Sequence, residues 1–269
     1  MSDQAKAPAQ PVPAATVLLV RKADPQLQVF MVVRHHQIDF ASGALVFPGG
    51  KLEAADADAR LQGRVTDAGH LDAGQRAFRV GAIREAFEEC GVLLARAKGD
   101  KALLTATRLA ALDATWRKRL VDNKATMVDM VEAEDLTLAT DQMIPYSHWV
   151  TPTFMPKRFD TWFFIAQAPD DQLALHDGEE SVDSVWISPA QALADLEAGK
   201  RTIIYPTRCN LMMLAESQRH DEALATARTR PIKTVLPWIE EQDGKKFLAI
   251  DPACGYALNR APIEGAPRG

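Results

Sequence analysis

Apolar residues recur along this chain with two different periods, and the switches between them mark out its elements. Runs rich in β-branched and aliphatic residues at 15–22 (ATVLLVRK) and 29–34 (VFMVVR) predict two strands joined by a turn around Asp24-Pro25. Further strands are expected at 45–47, 142–150 (QMIPYSHWV), 159–168 (FDTWFFIAQA), 182–187 and 247–250. Across 79–90 the period lengthens to that of a helix. There Val80, Ile83, Ala86, Phe87 and Cys90 gather on one side, and Glu85, Glu88 and Glu89 share an arc of about 100° on the other. Gly91 is a natural stop.

Downstream, Leu109, Leu112, Trp116 and Leu120 recur at three- and four-residue steps, and Met127, Val128 and Val131 start a second helix. Such an amphipathic pair reads as packed core; a cap over a site, or a homodimer surface, is the alternative. Ser188-Pro189 opens a helix that runs to about 198 and ends at Gly199, and another is expected at 207–218. Residues 1–14, rich in Ala, Pro and Gln, predict a disordered tail. Residues 15–262 then form a single domain with insertions at about 57–76 and 100–135 and no internal repeat. The first insertion holds Gly63, Gly69 and Gly74 and reads as an exposed loop, dispensable for chemistry, with one short helix near 57–61.

The acidic helix face is costly on its own. Like charges at i,i+3 and i,i+4 oppose one another by roughly 0.2–0.5 kcal/mol each. Carboxylates in the last turn also face the negative end of the helix dipole. Only Arg79 and Arg84 are near enough in sequence to offset them. A bound hard cation would relieve the set, since Mg²⁺ prefers oxygen ligands and works alongside substrate phosphates. A solvated acidic face is the bland alternative.

Composition narrows the field. Of 269 residues, 47% are hydrophobic and 25% charged, which is the balance of an ordinary globular chain. A formal charge of −5 argues against a general nucleic-acid or membrane-surface binder. Cys90, Cys209 and Cys254 form no CxxC pair and suit a reducing compartment. With no long apolar run and an acid at Asp3, a cytoplasmic protein is expected. Adjacent His35 and His36 invite a metal reading, but neighbours on a strand point to opposite faces.

The stretch from Phe47 to Val92 resembles the signature of the Nudix hydrolase family, GX5EX7REUXEEXGU with U aliphatic. Arg84-Glu85-Ala86-Phe87-Glu88-Glu89-Cys90-Gly91-Val92 fits its second half position by position. Gly50 fits the first glycine, and Asp56 stands where the family has Glu. An insertion of 20 residues then separates the two halves. VFPGG, HWVTP, PKRFDTWFF and VWISPAQAL are similar to the acyl-coenzyme A diphosphatase-like branch. The resemblance implies an α/β fold, a mixed sheet sandwiched between helices, with helical insertions. It implies divalent-metal-dependent hydrolysis of a nucleoside diphosphate linked to another moiety.

In that light Glu88 and Glu89 are expected to ligate Mg²⁺ or Mn²⁺, with the Gly49 carbonyl beside them and Glu85 as further ligand or catalytic base. Arg84, Gly50 and Gly91 are expected to be structural, while Asp56, Glu53, Glu179 and Glu180 keep open roles. Arg34, Lys157 and Arg158 are candidate substrate contacts. The last two form a local positive pair that can read the 3′-phosphate of coenzyme A, with a salt bridge to Asp160 as the alternative. Coenzyme A or acyl-coenzyme A is the expected substrate. ADP-ribose or a nucleotide sugar, and a sensing module without catalysis, are the other readings.

Overall fold

Side chains alternate across a strand, so Ala15, Val17 and Leu19 enter one core while Leu18 and Val20 enter another. The strand that carries them is fed from both faces by helices. A computed structural model of the chain describes residues 7–34, 44–66, 71–169, 172 and 181–263. Along it β1 (Val12–Arg21), β2 (Gln28–Arg34), β3 (Leu45–Val46) and β4 (Gly49–Lys51) precede α1 (Ala73–Cys90). Then come β5 (Ala95–Ala97), α2 (Ala106–Leu112), α3 (Lys118–Val121), α4 (Met127–Ala133) and β6 (Leu136–Leu138). β7 (Ile144–Val150), β8 (Phe159–Gln167) and β9 (Ser181–Ile187) lead to α5 (Pro189–Glu197), α6 (Tyr205–Leu214) and α7 (His220–Thr229). The chain closes with β10 (Thr234–Val235), β11 (Trp238–Gln242), β12 (Lys245–Ala249) and β13 (Arg260–Pro262).

The main sheet is mixed and eight-stranded, in the order β10-β7-β8-β1-β2-β3, with β4 pairing on β1 and β9 on β2. β1 runs parallel to β8 through nine residue pairs, from Val12 opposite Phe159 to Val20 opposite Gln167. Its other edge is shared: β4 takes residues 14–16 and β2 takes 20–21. This sharing sets the two-glycine strand β4 directly beside α1. On that face, α1 and α4 close over Val17, Leu19, Phe164 and Ala166. On the opposite face, α5, α6 and α7 cover Leu18, Val20, Met31 and Ile165. The sandwich expected from the resemblance is therefore present.

Several boundaries differ from those expected. β1 starts at Val12, inside the segment read as tail, because the Val12 N–H finds the Arg158 carbonyl at 2.9 Å. α1 starts at Ala73, where the Asp72 side chain accepts the Gln75 N–H at 2.8 Å, so the inserted segment supplies its first turn. Residues 100–135 are packed core: Leu109, Leu112, Trp116, Leu120, Met127, Val128 and Val131 are all buried on the α1 face.

The insertion is a further correction. Residues 54–57 and 59–63 form two tight 3₁₀ turns, and Leu61 and Val65 are buried in the core. The Leu138 N–H bonds the Arg64 carbonyl at 2.8 Å, and the Thr66 N–H bonds the Leu138 carbonyl at 3.0 Å. Arg60 pairs with Glu132 at 2.9 Å, and Arg64 pairs with Asp135. The segment is a structural splint between α1 and β6, not a loop that can be cut out. Among the described residues no helix is long and apolar enough to cross a membrane.

Candidate active site

α1 is placed by its ends. Gly91 takes the left-handed conformation at φ 67°, its N–H bonds the Phe87 carbonyl at 2.9 Å, and the Val92 N–H reaches the Ala86 carbonyl at 3.2 Å. The Glu88 carbonyl, one of the last in the helix, accepts from the Arg117 Nε at 2.9 Å. Gly91 thus caps the C-terminal end of the helix.

The acidic face is not solvated. Glu85 and Glu89 are buried and Glu88 is half-buried. Arg84, only 3% exposed, sits among them. Its Nη1 lies 2.9 Å from Glu85, 3.1 Å from Glu88 and 3.8 Å from Glu53. Its Nε and Nη2 fork onto the two oxygens of Asp56 at 3.0 and 3.1 Å, and Nη2 also donates to the Lys51 carbonyl at 2.8 Å. Asp56 is fully buried and accepts the Glu53 N–H at 2.8 Å. The shortened acid is therefore the anchor of the signature arginine, a role the sequence left open. Gly81 makes room for it, since a Cβ there would stand 3.1 Å from the Asp56 carboxylate.

One guanidinium cannot neutralise four carboxylates, and the protonation balance records this. Burial opposes the charge of Arg84, but Glu85, Asp56 and Glu88 outweigh it and hold the group well above the ordinary arginine range. A simple ion pair would lower the acids in turn. Instead burial pushes Glu85 up to about 8 and Glu88 up to about 7, with Arg84 pulling the other way. Asp56 holds the best geometry on the cation, so the two glutamates carry the surplus.

β4 closes the site from the sheet side. The Gly49 N–H donates to the Glu89 Oε2 at 2.9 Å, so Gly49 enters the described geometry as a donor that orients Glu89. Gly50 is required for a different reason: a Cβ there would stand 2.6 Å from the Glu85 Oε1. Gly50 lets its backbone lie flush against the Glu85 carboxylate, and Gly49 lets β4 lie close against β1 at Ala15 and Thr16. Glu85, Glu88 and Glu89 offer carboxylate oxygens here, which suit a hard divalent cation. Among the described residues no three acids already converge on a single point.

The remaining candidates divide. Arg158 is buried, with Nε on the Thr151 carbonyl at 2.9 Å and Nη1 on the Ala9 carbonyl at 2.7 Å. It is a backbone clamp, and its fork is not presented to a phosphate. Nor does it pair with Asp160, which is bonded to His148 instead. Lys157 is exposed on the loop before β8. β8 begins beside Val12, and its second residue is paired with Pro13, whose carbonyl accepts the Leu52 N–H at 3.0 Å just past β4. Arg34 ends β2, and its side chain lies outside the described residues, as do His35, His36, Glu179 and Glu180.

A cavity of about 560 Å³ lies on the flank of α1, lined by Arg79, Asp141, Pro145, Arg228 and Arg230, and it includes none of Asp56, Glu85, Glu88 and Glu89. Asp141 there is forked onto Arg96 and Arg230 is paired with Glu216, so chemistry points to the carboxylate site.

Comparison with known proteins places these features in context. The sequence model of the NUDT19 Nudix domain matches residues 66–213. Over 228 residues the chain is 25% identical to putative nudix hydrolase 7 of Caenorhabditis elegans, covering 82% of this chain and 68% of that protein. It is 26% identical over 211 residues to acyl-coenzyme A diphosphatase NUDT19 of Xenopus laevis, covering 64% of this chain and 56% of the relative. For the Homo sapiens protein of the same name the figures are 28% over 204 residues, 61% and 54%. The chain thus spans about two thirds of the nematode relative and just over half of the vertebrate ones. Among solved structures, a NUDIX hydrolase from Alicyclobacillus acidocaldarius superposes with a TM-score of 0.65 at 24% identity, covering 82% of this chain and 99% of that one. The two share a fold.

Proposed function

This chain belongs to the Nudix hydrolase family, and on that premise we propose that it cleaves the diphosphate of coenzyme A or an acyl-coenzyme A with a divalent cation. The products are 3′,5′-ADP and a phosphopantetheine. The observation that carries the reading is the surplus of negative charge around Arg84, which faces Asp56, Glu85, Glu88 and Glu53 within 3.8 Å. A buried surplus of carboxylate is costly until a cation shares it. Mg²⁺ or Mn²⁺ suits an all-oxygen donor set, and Mg²⁺ needs only one or two carboxylates when waters and substrate phosphates complete its shell.

Glu88 and Glu89 are the proposed ligands, with the Gly49 carbonyl as a further donor. When bound, the cation supplies charge neutralisation on the phosphate oxygens and acidifies a water. Glu85, one turn before the proposed ligands on the same helix face and held against Gly50, is assigned to take that water's proton. Gly50 keeps its carboxylate close to the backbone, and Arg84, anchored on Asp56, fixes the rotamers of Glu85 and Glu88 without touching substrate. Lys157 and Arg34 remain proposed contacts to substrate phosphate or base. The name of the vertebrate relatives supports coenzyme A over other nucleoside diphosphates.

The test is mass spectrometry of products from coenzyme A, dephospho-coenzyme A and ADP-ribose, each with Mg²⁺ and with Mn²⁺. Cleavage of coenzyme A to 3′,5′-ADP, abolished by a chelator, is expected. Glu89→Gln should lower turnover by about 10²–10³ with the fold retained, because its amide oxygen can still accept the Gly49 N–H. Full activity in the Glu88→Gln, Glu89→Gln double variant sinks the assignment. Rapid cleavage of ADP-ribose with coenzyme A left intact overturns the substrate.

A further inference from the structure

β10 pairs with β7 only at His148 and Trp149, so among the described residues the first half of β7 has no strand on that side. Two features keep another strand from adding there. Pro145 has no N–H to give a ladder, and the pairing of β7 with β8 shifts register between Pro145 and Ser147, an irregularity of the bulge kind. Proline and bulges both blunt a sheet edge. The cavity of about 560 Å³ lies at this edge, between Arg79 on α1, Ile144 and Pro145 on β7, and the stretch that leads from α7 toward β10.

Its lining mixes two characters. Ile144, Pro145 and Ile232 are apolar, while Arg79, Arg228 and Arg230 are cationic. Among the described residues Asp141 is the only acid in the lining, and it is committed elsewhere. Arg96 holds its two oxygens at 2.6 and 2.8 Å, and Thr66 and Gln142 donate to them as well. Arg79 is fixed in place, with Nη1 on the Gln75 carbonyl at 3.0 Å and its guanidinium 5.3 Å from the centre of the Phe164 ring. Arg228 is exposed in the last turn of α7. Arg230 pairs with Glu216, whose side chain is half exposed. An ion pair so open to water contributes little, so a better-placed anion can displace it.

The lining is therefore cationic in a chain whose formal charge is −5. Cavities of this size suit small molecules, with a few polar groups orienting an otherwise apolar contact. Arginine meets carboxylate and phosphate alike in a fork. A phosphate monoester has three terminal oxygens and close to two charges at neutral pH, which matches three arginines better than a carboxylate does.

We propose that this cavity is a second ligand site, which takes a phosphate monoester with an apolar tail. Arg79, Arg228 and Arg230 hold the head, and the tail lies along Ile144, Pro145 and Ile232. The site is separate from the carboxylates of α1. Arg79 precedes Glu85 by six residues, about 9 Å along the helix axis, and none of Glu85, Glu88 and Glu89 lines the cavity. The inference therefore stands apart from the proposed activity.

The experiment is titration calorimetry of octyl phosphate against the full chain with a chelator present. Without a cation the acids of α1 repel phosphate, so the heat reads the cavity. Inorganic phosphate supplies the head without the tail, 1-octanol the tail without the head, and octanoate the same kind of tail on a carboxylate. Octyl phosphate should bind about tenfold or more tighter than inorganic phosphate or 1-octanol, and about threefold or more tighter than octanoate. Arg228→Glu changes an exposed position, so it should keep the melting temperature and weaken octyl phosphate about tenfold or more. Nuclear Overhauser contacts from the octyl chain to the methyl groups of Ile144 and Ile232 give a readout that needs no variant. Full affinity in Arg228→Glu, octyl contacts to other residues, or octyl phosphate binding no tighter than inorganic phosphate overturns the site. Octanoate binding as tightly as octyl phosphate overturns the phosphate head. Coenzyme A cleavage is measured with the cation present and is read independently of all of these.

Discussion

Across 28 positions of sequence, Arg84 and Asp56 form a forked ion pair, Nε on one carboxylate oxygen at 3.0 Å and Nη2 on the other at 3.1 Å. The pair joins the two halves of an interrupted signature, and neither side chain is more than 3% exposed. Removing one partner of a buried pair costs about 3–5 kcal/mol. Asp56→Asn should fall near the lower end, because Glu85 and Glu88 still face the guanidinium. Asp56→Glu restores the signature residue yet inserts a methylene beside Gly81 and Leu52, and should cost about 1–3 kcal/mol by overpacking. Urea midpoints of the two variants test the order; a stabilised Asp56→Glu protein would contradict it.

Two neighbouring glycines should fail in opposite ways. A Cβ on Gly50 meets the end of the flexible Glu85 side chain at 2.6 Å, which can swing aside. Gly50→Ala should therefore melt within about 0.5 kcal/mol of the parent while turnover drops about a hundredfold through the displaced carboxylate. A Cβ on Gly49 meets the Ala15 carbonyl at 2.4 Å and the Thr16 Cα at 2.6 Å, and backbone cannot swing aside. Gly49→Ala should lose about 1–3 kcal/mol or more. Equal melting of the two variants would count against this geometry.

Protons and the cation should compete. Glu85 and Glu88 titrate above the ordinary carboxylate value of 4.5, at about 8 and about 7. Between those limits the folded protein holds more protons than the unfolded chain, so stability without a cation is unpenalised below pH 4.5 and declines as pH rises through the window. A cation needs the ionised forms, and its affinity rises over the same range. The melting-temperature gain on adding Mg²⁺ or Mn²⁺ should be larger at about pH 8.5 than at about pH 6. A gain independent of pH would mean that these acids do not hold the cation.

Arg158 should matter for stability and not for substrate choice. Its fork holds the carbonyls of Thr151 and Ala9. Arg158→Ala leaves both without that donor, at a cost of about 1–3 kcal/mol. The ratio of coenzyme A to dephospho-coenzyme A cleavage should not change. A ratio that moves tenfold would return Arg158 to the substrate.

The sequence made α1 and its acids legible because a 3.6-residue period, a run of signature residues and a terminal glycine agree over Val80 to Gly91. Its first turns were not legible, since Ala73 and Gly74 look like the loop before them and Asp72 is one aspartate among several nearby. Leu61 and Val65 are isolated apolar residues whose burial depends on β6, more than 70 positions later. β4 is three residues long with two glycines, and only its pairing with β1 makes it a strand. α7 buries small residues, Ala223 and Ala227 beside Leu224, which give a weak periodic signal. Arg158 and Lys157 looked alike as charges, and only the fold separates a clamp from an exposed cation. His148 and Trp162 were visible in HWV and FDTW, but register decides that they stack, and register is a property of the folded sheet.

The parallel pairing of β1 with β8 also bears on how the chain is made. Val12 waits for Phe159, roughly 150 residues later, which at about 5–20 residues per second is on the order of ten seconds of synthesis. Throughout that interval the run from Val17 to Val20, fully buried in the finished protein, has one strand edge without its partner. Contacts this distant in sequence make folding slow, because the loop must close before its pairing contributes anything. The ribosome therefore delivers β1, β4 and the acids of α1 long before β8, and the nascent chain depends on protection from other unpaired edges in between.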